Sequence, residues 1–356
     1  MAELLDVLKI RVPVLQAPMA GGPAGPELAA AVSRAGGLGM LGVMGLSCER
    51  VQADVREALA LGATSLAVNI QIARPAPTGE RPEDVAAVLA PFLAELGGDA
   101  SRSGAKPDPP FELVAAALEA GATVVSGALG DPTELATLAR EAGAPLVVMV
   151  STAAEAVIAV DAGADVVVAQ GSEAGGHRTT FDVSGSSLPL VGTLALVPRV
   201  VDAVAVPVVA AGGIMDGRGV AAALALGASG AMLGTRFLLA AEALTPAAYK
   251  QRLASSVETD SFVTDAVTGR PARWIRNAVT DALASGPPHL GWGPQRAAVE
   301  PLRQAAAEAG RPDLLPMLAG QGAGLAGVVD QPAEEIVASV WAQARAALAR
   351  ASALVE

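Results

Sequence analysis

Only two histidines occur in this chain, and one of them, His177, lies in the stretch QGSEAGGHRTT, residues 170–180. That stretch starts where an apolar β-branched run, DVVVA, ends. An imidazole placed there can take or hold a proton, because its unperturbed charge change falls between about pH 5 and 8. Gly175 and Gly176 let the chain turn sharply and come close to a ligand. A surface-loop histidine is the alternative reading of the same residues. Glu173 reads as a loop-organising or partner-binding carboxylate rather than a second catalytic group. His289, in SGPPHLGW, has no comparable setting. No His/Asp/Glu spacing matches a metal site, so no metal is expected. The single cysteine, Cys48, rules out an intrachain disulfide and a Cys-based metal site and reads as a small buried or half-buried filler.

Two amides end apolar runs, Asn69 in LAVNI and Gln170 in DVVVAQ. Such groups can pair with a planar heterocycle that alternates donors and acceptors, such as a flavin, or can serve an internal network. Met19, in QAPMAGG, can pack on a flat ring, although a core position is the commoner fate of methionine. Two further segments, AAGGI with Gly212 and Gly213 and LGTRF with Gly234 and Thr235, combine glycines with an adjoining helix start. Backbone N–H groups can approach phosphate oxygens there, and a helix start adds its positive dipole end. Taken singly, each segment is as well explained by a tight turn.

The elements that must position these residues come from a recurring pattern: an Ala-rich helical segment, Gly-Ala, then a short apolar run. It appears in LGATSLAVN, AGATVVSG, AGAPLVVMV, AGADVVVAQ and LGASGAML. The glycine can end a helix in the left-handed conformation, and the run is apolar on both faces like a buried parallel strand. PVLQAP from Pro13, VPVVAAGG from Val206 and Gly37–Leu41 complete a set of eight strands. Glycines 121, 143 and 163 lie about 20 residues apart, near the minimum for one strand-plus-helix unit. The expected fold is α/β, a (β/α)8 TIM barrel with a smaller, mainly helical C-terminal appendage; an open doubly wound sheet is the runner-up. In a barrel the functional loops follow the strand C-termini, which is where Ala17-Pro18-Met19-Ala20-Gly21, Asn69, Gln170, the two glycine segments and His177 all fall. GLGMLG, residues 37–42, matches G-x-G-x-x-G, but it follows a helix and contains a strand, so a nucleotide loop is not expected.

Three parts are expected: a barrel over 1–245 with a Pro/Gly-rich excursion at 74–110, a helical substrate or lid subdomain over 246–316 where Pro, Arg and Trp become commoner, and a segment 317–356 that returns to the barrel. With 52% apolar residues the chain is globular. A net charge of −12 argues against nucleic-acid binding while leaving room for a local phosphate pocket. MAELLDVLKI lacks the basic start of a signal peptide. The charge-free stretch 219–235 is 17 residues, short of the ~20 of a membrane span. A cytoplasmic protein with no membrane partner is expected, and a homodimer is left open.

In VLQAPMAGG, AVNI, VVAQGSEAGGHR, VPVVAAGGIMDGRGVAAALALGA, LGTRF, TGRPARWIRN and LAGQGAGL, in that order over almost the whole length, the chain resembles the nitronate monooxygenases, FMN-dependent barrels. The resemblance implies FMN contacts at Asn69, Gln170, Gly175, Gly212, Gly213, Met232, Leu233, Gly234 and Thr235, with Gly176 and residues Ala17 to Gly21 lining the flavin. It places His177 on the catalytic histidine. It implies oxidation of small alkyl nitronates, and of nitroalkanes if they are accepted, by O2 to a carbonyl compound and nitrite, with His177 as base or anion stabiliser. Two departures bear on substrate fit: Thr179-Thr180 where the family commonly has Gly after His-Arg, and NIQIARP at the third strand's end. FMN-dependent enoyl-acyl-carrier reductases using NAD(P)H carry a similar AGGH loop and are the rival reading. A flavin-free barrel acting as a binding or scaffold protein is a third.

Overall fold

The computed structural model describes residues 1–73, 76–77, 81–99, 108–183, 188–325 and 327–354. Eight strands, β1 (Val14–Gln16), β2 (Gly39–Gly42), β3 (Leu66–Gln71), β4 (Val124–Ala128), β5 (Leu146–Val150), β6 (Val166–Gln170), β7 (Val208–Ala211) and β8 (Gly230–Leu233), form one parallel sheet. Neighbours in sequence are neighbours in space, and β1 also pairs with β8, with Val14 opposite Ala231. The two ends meet at a Leu15–Leu38 bridge, where Gln16 N–H donates to Leu38 O at 3.0 Å. This seam closes a (β/α)8 barrel and excludes the open doubly wound sheet. The Gln16 side chain strengthens the seam as a substitute strand residue: its Nε2 donates to Met40 O at 3.0 Å and its Oε1 accepts from Met40 N–H at 3.0 Å.

The Gly-Ala repeat does what its chemistry allows. Gly62, Gly121, Gly143, Gly163 and Gly227 all carry positive φ at the turn from helix to strand. Side chains alternate along each strand. Leu15, Ala67, Val124, Val147, Val166, Val168 and Val209 fill the barrel interior, and Leu4 and Leu8 of the first helix, Ala2–Leu8, close its N-terminal end. Val14, Val68, Val125, Val148, Val167, Ala210 and Leu233 face outward into the shell of helices. In GLGMLG, Cβ atoms on Gly37 and Gly39 would run into Val14 O and Ala29 O. Those glycines serve close packing of β2 against β1 and the helix Pro26–Arg34, as the misplaced motif context implies.

A second core sits over the C-terminal mouth. It joins Val85, Leu89 and Leu93 to Tyr249, Leu253, Trp274, Leu283, Leu302 and Met317. The described part of the 74–110 excursion is not merely loop: Pro82–Leu96 is helical, and its Val85-Leu89-Leu93 stripe at helical spacing buries against the appendage. Residues 74–75, 78–80 and 100–107 of the excursion lie outside the described residues. The appendage holds helices Ala247–Ala254, Ala278–Ala284 and Pro294–Glu308. It also contains a feature the sequence reading lacked, an antiparallel sheet of Ser261–Thr264, Ala272–Ile275 and Gly176–His177. The final helix, Ala333–Ser352, returns to pack on Gly217–Ala225 of the barrel. No helix among the described residues is long and apolar enough to cross a membrane.

Candidate active site

A cavity of about 480 Å³ opens at the C-terminal mouth of the barrel. That lies within the range of roughly 300–1,000 Å³ typical of small-molecule and cofactor sites. Its lining brings together Ala17, Pro18, Met19, Ala20, Gly21, Asn69, Gln170, Gly175, Gly176, His177, Gly212, Gly213, Met232, Gly234 and Thr235. One expected residue is not among them. Leu233 is fully buried among the outward-facing core residues, because Met232 points into the barrel and the next residue along a strand must point away. Its backbone still helps, since Leu233 O accepts from Ala17 N–H at 2.9 Å and fixes the loop after β1.

The floor is apolar, with Met149, Val168 and Met232 at the ends of β5, β6 and β8. Asn69 Nδ2 donates to Ser126 Oγ at 2.9 Å across the tops of β3 and β4. Gln170 works on the histidine loop: its Nε2 donates to His177 O at 3.0 Å and its Oε1 accepts from Thr179 N–H at 3.1 Å. The network reading therefore holds for both amides, each at the cavity wall.

Glycine loops form the other side. Gly212 and Gly213 have φ of +114° and +71°, conformations that turn the strand end sharply beside the cavity. A Cβ on Gly175 would lie 2.5 Å from Ala319 C and Gly320 N, so the loop 171–177 can lie against the C-terminal loop 318–322 only with glycine there. That contact is secured by Gln321 N–H donating to Glu173 O at 2.9 Å, while Gly320 N–H, donating to Thr235 Oγ1 at 3.0 Å, ties the C-terminal loop to the end of β8. Glu173 is the organiser expected of it. Its carboxylate accepts from Thr193 N–H at 2.9 and 3.0 Å and from Thr193 Oγ1 at 2.9 Å, at the first residue of helix Thr193–Val201.

His177 is half-buried. Its Nε2 lies 2.9 Å from Thr268 Oγ1, and its ring meets Trp292 and Trp274 edge-on, with centroids 5.1 and 6.2 Å apart. Its backbone pairs with Ala272 of the appendage sheet. Burial, reinforced by the positive charges of Arg270 and Arg296, pushes its pKa down to about 3, so the imidazole is neutral at physiological pH. The neighbouring departure from the common pattern, Thr179-Thr180, is absorbed by Glu155: its Oε1 accepts from Thr180 Oγ1 at 2.6 Å and Phe181 N–H at 2.8 Å. Arg178, fully buried, donates to Gly171 O at 2.6 Å and Gln170 O at 2.8 Å. Arg270 and Arg273 are buried nearby on other carbonyls. These three arginines lie outside the cavity lining, near the carboxylates of Glu155 and Glu173, whereas Arg296 and Arg303 line the cavity with Glu300 beside them.

Sequence reasoning missed Thr268, Trp274, Trp292, Tyr249, Arg296 and Gly320, all of which line the cavity from the appendage or the C-terminal loop. A signal was present, because two of the three tryptophans of an aromatic-poor chain fall in the appendage. His289 does not line the cavity; its Nε2 pairs with Asp265 at 3.3 Å and its Nδ1 accepts from Gly291 N–H at 3.0 Å. Cys48 is half-buried at the start of helix Cys48–Ala60.

The model of the nitronate monooxygenase family matches residues 2–343. A probable nitronate monooxygenase of Staphylococcus aureus is 34% identical over 342 residues, which span 95% of this chain and 96% of that protein. Among solved structures, nitroalkane oxidase from Streptomyces ansochromogenes superimposes with a TM-score of 0.84 at 36% identity, covering 97% of this chain and 99% of that one. FabK from Thermotoga maritima does so with a TM-score of 0.78 at 28% identity, covering 99% and 98%. The barrel, the cavity at its mouth and a family match over nearly the whole chain agree: this chain belongs to the nitronate monooxygenase family, flavin-dependent oxidoreductases acting on small molecules.

Proposed function

We propose that this enzyme oxidises alkyl nitronates with bound FMN and O2 to a carbonyl compound and nitrite. The C–N bond breaks and an oxygen atom from O2 becomes the carbonyl oxygen; two nitronates and one O2 balance two carbonyl products and two nitrite ions. The observation that carries the reading is the convergence of His177 and three glycine-bearing loops on one cavity at the mouth of the barrel.

The residues fit FMN. Gly212–Gly213 and Gly234–Thr235 would hold the phosphate through backbone N–H groups, where side chains would block the approach. Met19, Asn69, Gln170 and Met232 would border the ring, with Gly175 and Gly176 beside it. FMN, when bound, would supply the redox centre that takes electrons from the nitronate and passes them to O2. His177, neutral at physiological pH, would accept the α-proton of a neutral nitroalkane. With a pre-formed nitronate it needs only to orient the anion. Replacement of His177 by Asn should therefore cost roughly 10²–10⁴ in rate with the nitroalkane and much less with the nitronate. Equal, slight losses on both would leave the histidine a purely structural part.

The likeness to FabK makes reduction of an enoyl thioester by NAD(P)H the reading to test against. Under anaerobic conditions an alkyl nitronate should bleach the flavin absorbance of the purified enzyme, while excess NADH should not in the same time. Fast bleaching by NADH with consumption of a crotonyl thioester would favour the reductase.

A further inference from the structure

We propose that Thr268 is the positioning residue that fixes the tautomer of His177 and leaves Nδ1 as the proton acceptor. The inference rests on the reading of His177 as the base. A threonine hydroxyl has one proton to give and can accept through its lone pairs. Thr268 Oγ1 lies 2.9 Å from His177 Nε2 and 3.2 Å from Arg270 O. The carbonyl can only accept. Both contacts become hydrogen bonds in one arrangement alone: Thr268 donates to Arg270 O and accepts from a protonated Nε2. The reverse arrangement sets the lone pairs of Oγ1 against those of a carbonyl in a buried site. Nε2 therefore carries the hydrogen, and the lone pair of the neutral imidazole is on Nδ1.

The surroundings keep that arrangement from being lost by rotation. The edge-on contacts with Trp274 and Trp292 hold the ring plane, and the pairing of His177 with Ala272 holds its backbone. Thr268 is buried and sits in a tight turn, with Thr268 N–H and Gly269 N–H both donating to Asp265 O at 3.3 and 2.7 Å. Asp265 in turn is held by His289. The Nδ1 of His289 accepts from Gly291, so its Nε2 is the nitrogen that donates to Asp265. The second histidine thus steadies the turn that orients the first.

The test reads the tautomer directly. With two histidines in the chain, ¹⁵N imidazole spectra of the holoenzyme carry two sets of signals, and His177→Asn identifies one of them. His177 should appear as the Nε2–H tautomer in the parent enzyme and in Thr268→Ser, which keeps the hydroxyl. In Thr268→Val, of the same shape without it, the Nδ1–H form should gain population. Turnover of a neutral nitroalkane should then fall by roughly 10² or more, since a histidine held in the wrong tautomer loses up to ~10⁴ elsewhere. Turnover of the pre-formed nitronate should change little, and Thr268→Ser should restore the nitroalkane rate. An Nδ1–H signal for His177 in the parent enzyme would overturn the proposal, as would a Thr268→Val variant with both tautomer and nitroalkane rate unchanged. An enzyme that turns over neither substrate would sink the functional reading instead, and the spectra would still decide the part played by Thr268.

Discussion

Acidification should weaken this fold through His177 itself, and His177→Asn should remove that sensitivity. Burial, then the charges of Arg270 and Arg296, hold the folded imidazole at a pKa of about 3, against 6.5 when unfolded. Because the folded value is the depressed one, the unfolded chain takes up the proton first. Stability is complete above about pH 6.5 and is lost as pH falls toward 3. At pH 5 the unfolded imidazole is protonated in a ratio of about 30 to 1 while the folded one is not, a loss of about 2 kcal/mol relative to pH 7. With an unfolding entropy of about 2.1 cal/mol/K per residue, a chain of 356 residues converts that into about 3 °C of Tm. Thermal unfolding of both proteins, freed of FMN, at pH 7 and pH 5 makes the comparison, and the other titrating groups cancel in the difference. The parent should lose about 3 °C more than the variant over that interval. Parallel losses would mean that the imidazole is not desolvated, and the reasoning from its surroundings would fail.

Three other substitutions follow from named contacts. Gly213→Asp should eject FMN while the barrel still folds, because the new Cβ would lie 3.4 Å from Glu173 Cβ and set a second carboxylate at the loop proposed to hold the phosphate; flavin content after gel filtration measures it. Gly217→Ala should lower Tm with kcat/KM intact, since the added Cβ would overlap Ala344 N and Val340 O of the final helix, an overpacking cost of about 1–3 kcal/mol. Glu155→Gln should cost about 1–3 kcal/mol, because a carboxamide puts NH2 against donors that now find carboxylate oxygen, among them Ser151 N–H at 2.7 Å and Phe181 N–H at 2.8 Å. Chemical denaturation with activity measured alongside would expose that loss.

The barrel was legible because its strands are local objects. A parallel strand buried on both faces is a short apolar run, and a helix that ends at Gly-Ala announces it, so the eight strands and the loops after them follow from composition over a few residues at a time. Period two then sorts the site: Asn69 shares its face with Ala67, and Gln170 with Val168, so both amides reach the mouth from inside the barrel. The same rule turns the side chain of Leu233, one step beyond Met232, away from the cavity and leaves only its backbone at the site that the family resemblance implies. The cap was not legible for the opposite reason. Gly176–His177 pairs with Ala272–Arg273, almost a hundred residues away, and no local period marks a two-residue strand. Helix Pro82–Leu96 likewise reveals its partner only when the appendage core is assembled around it.

That division has a chemical consequence. The end of β6 sets where the His177 backbone lies, but the contacts to its ring come from Thr268, Trp274 and Trp292 of the cap, so on the proposed reading of His177 as a base the cap sets its nitrogen and its ring plane. Trp274 also belongs to the core that receives Leu89 and Leu93 of the excursion helix. A change in the excursion therefore reaches the histidine through packing, and a change in the outer helices reaches its loop through hydrogen bonds, those of Thr180 and Phe181 to Glu155 of helix Ala153–Ala162 and that of Thr193 to Glu173. The segments after β7 and β8 join that core too, through Met215, Leu238 and Leu239, so the cap and the glycine loops share one packing unit and a substitution in the one bears on the geometry of the other.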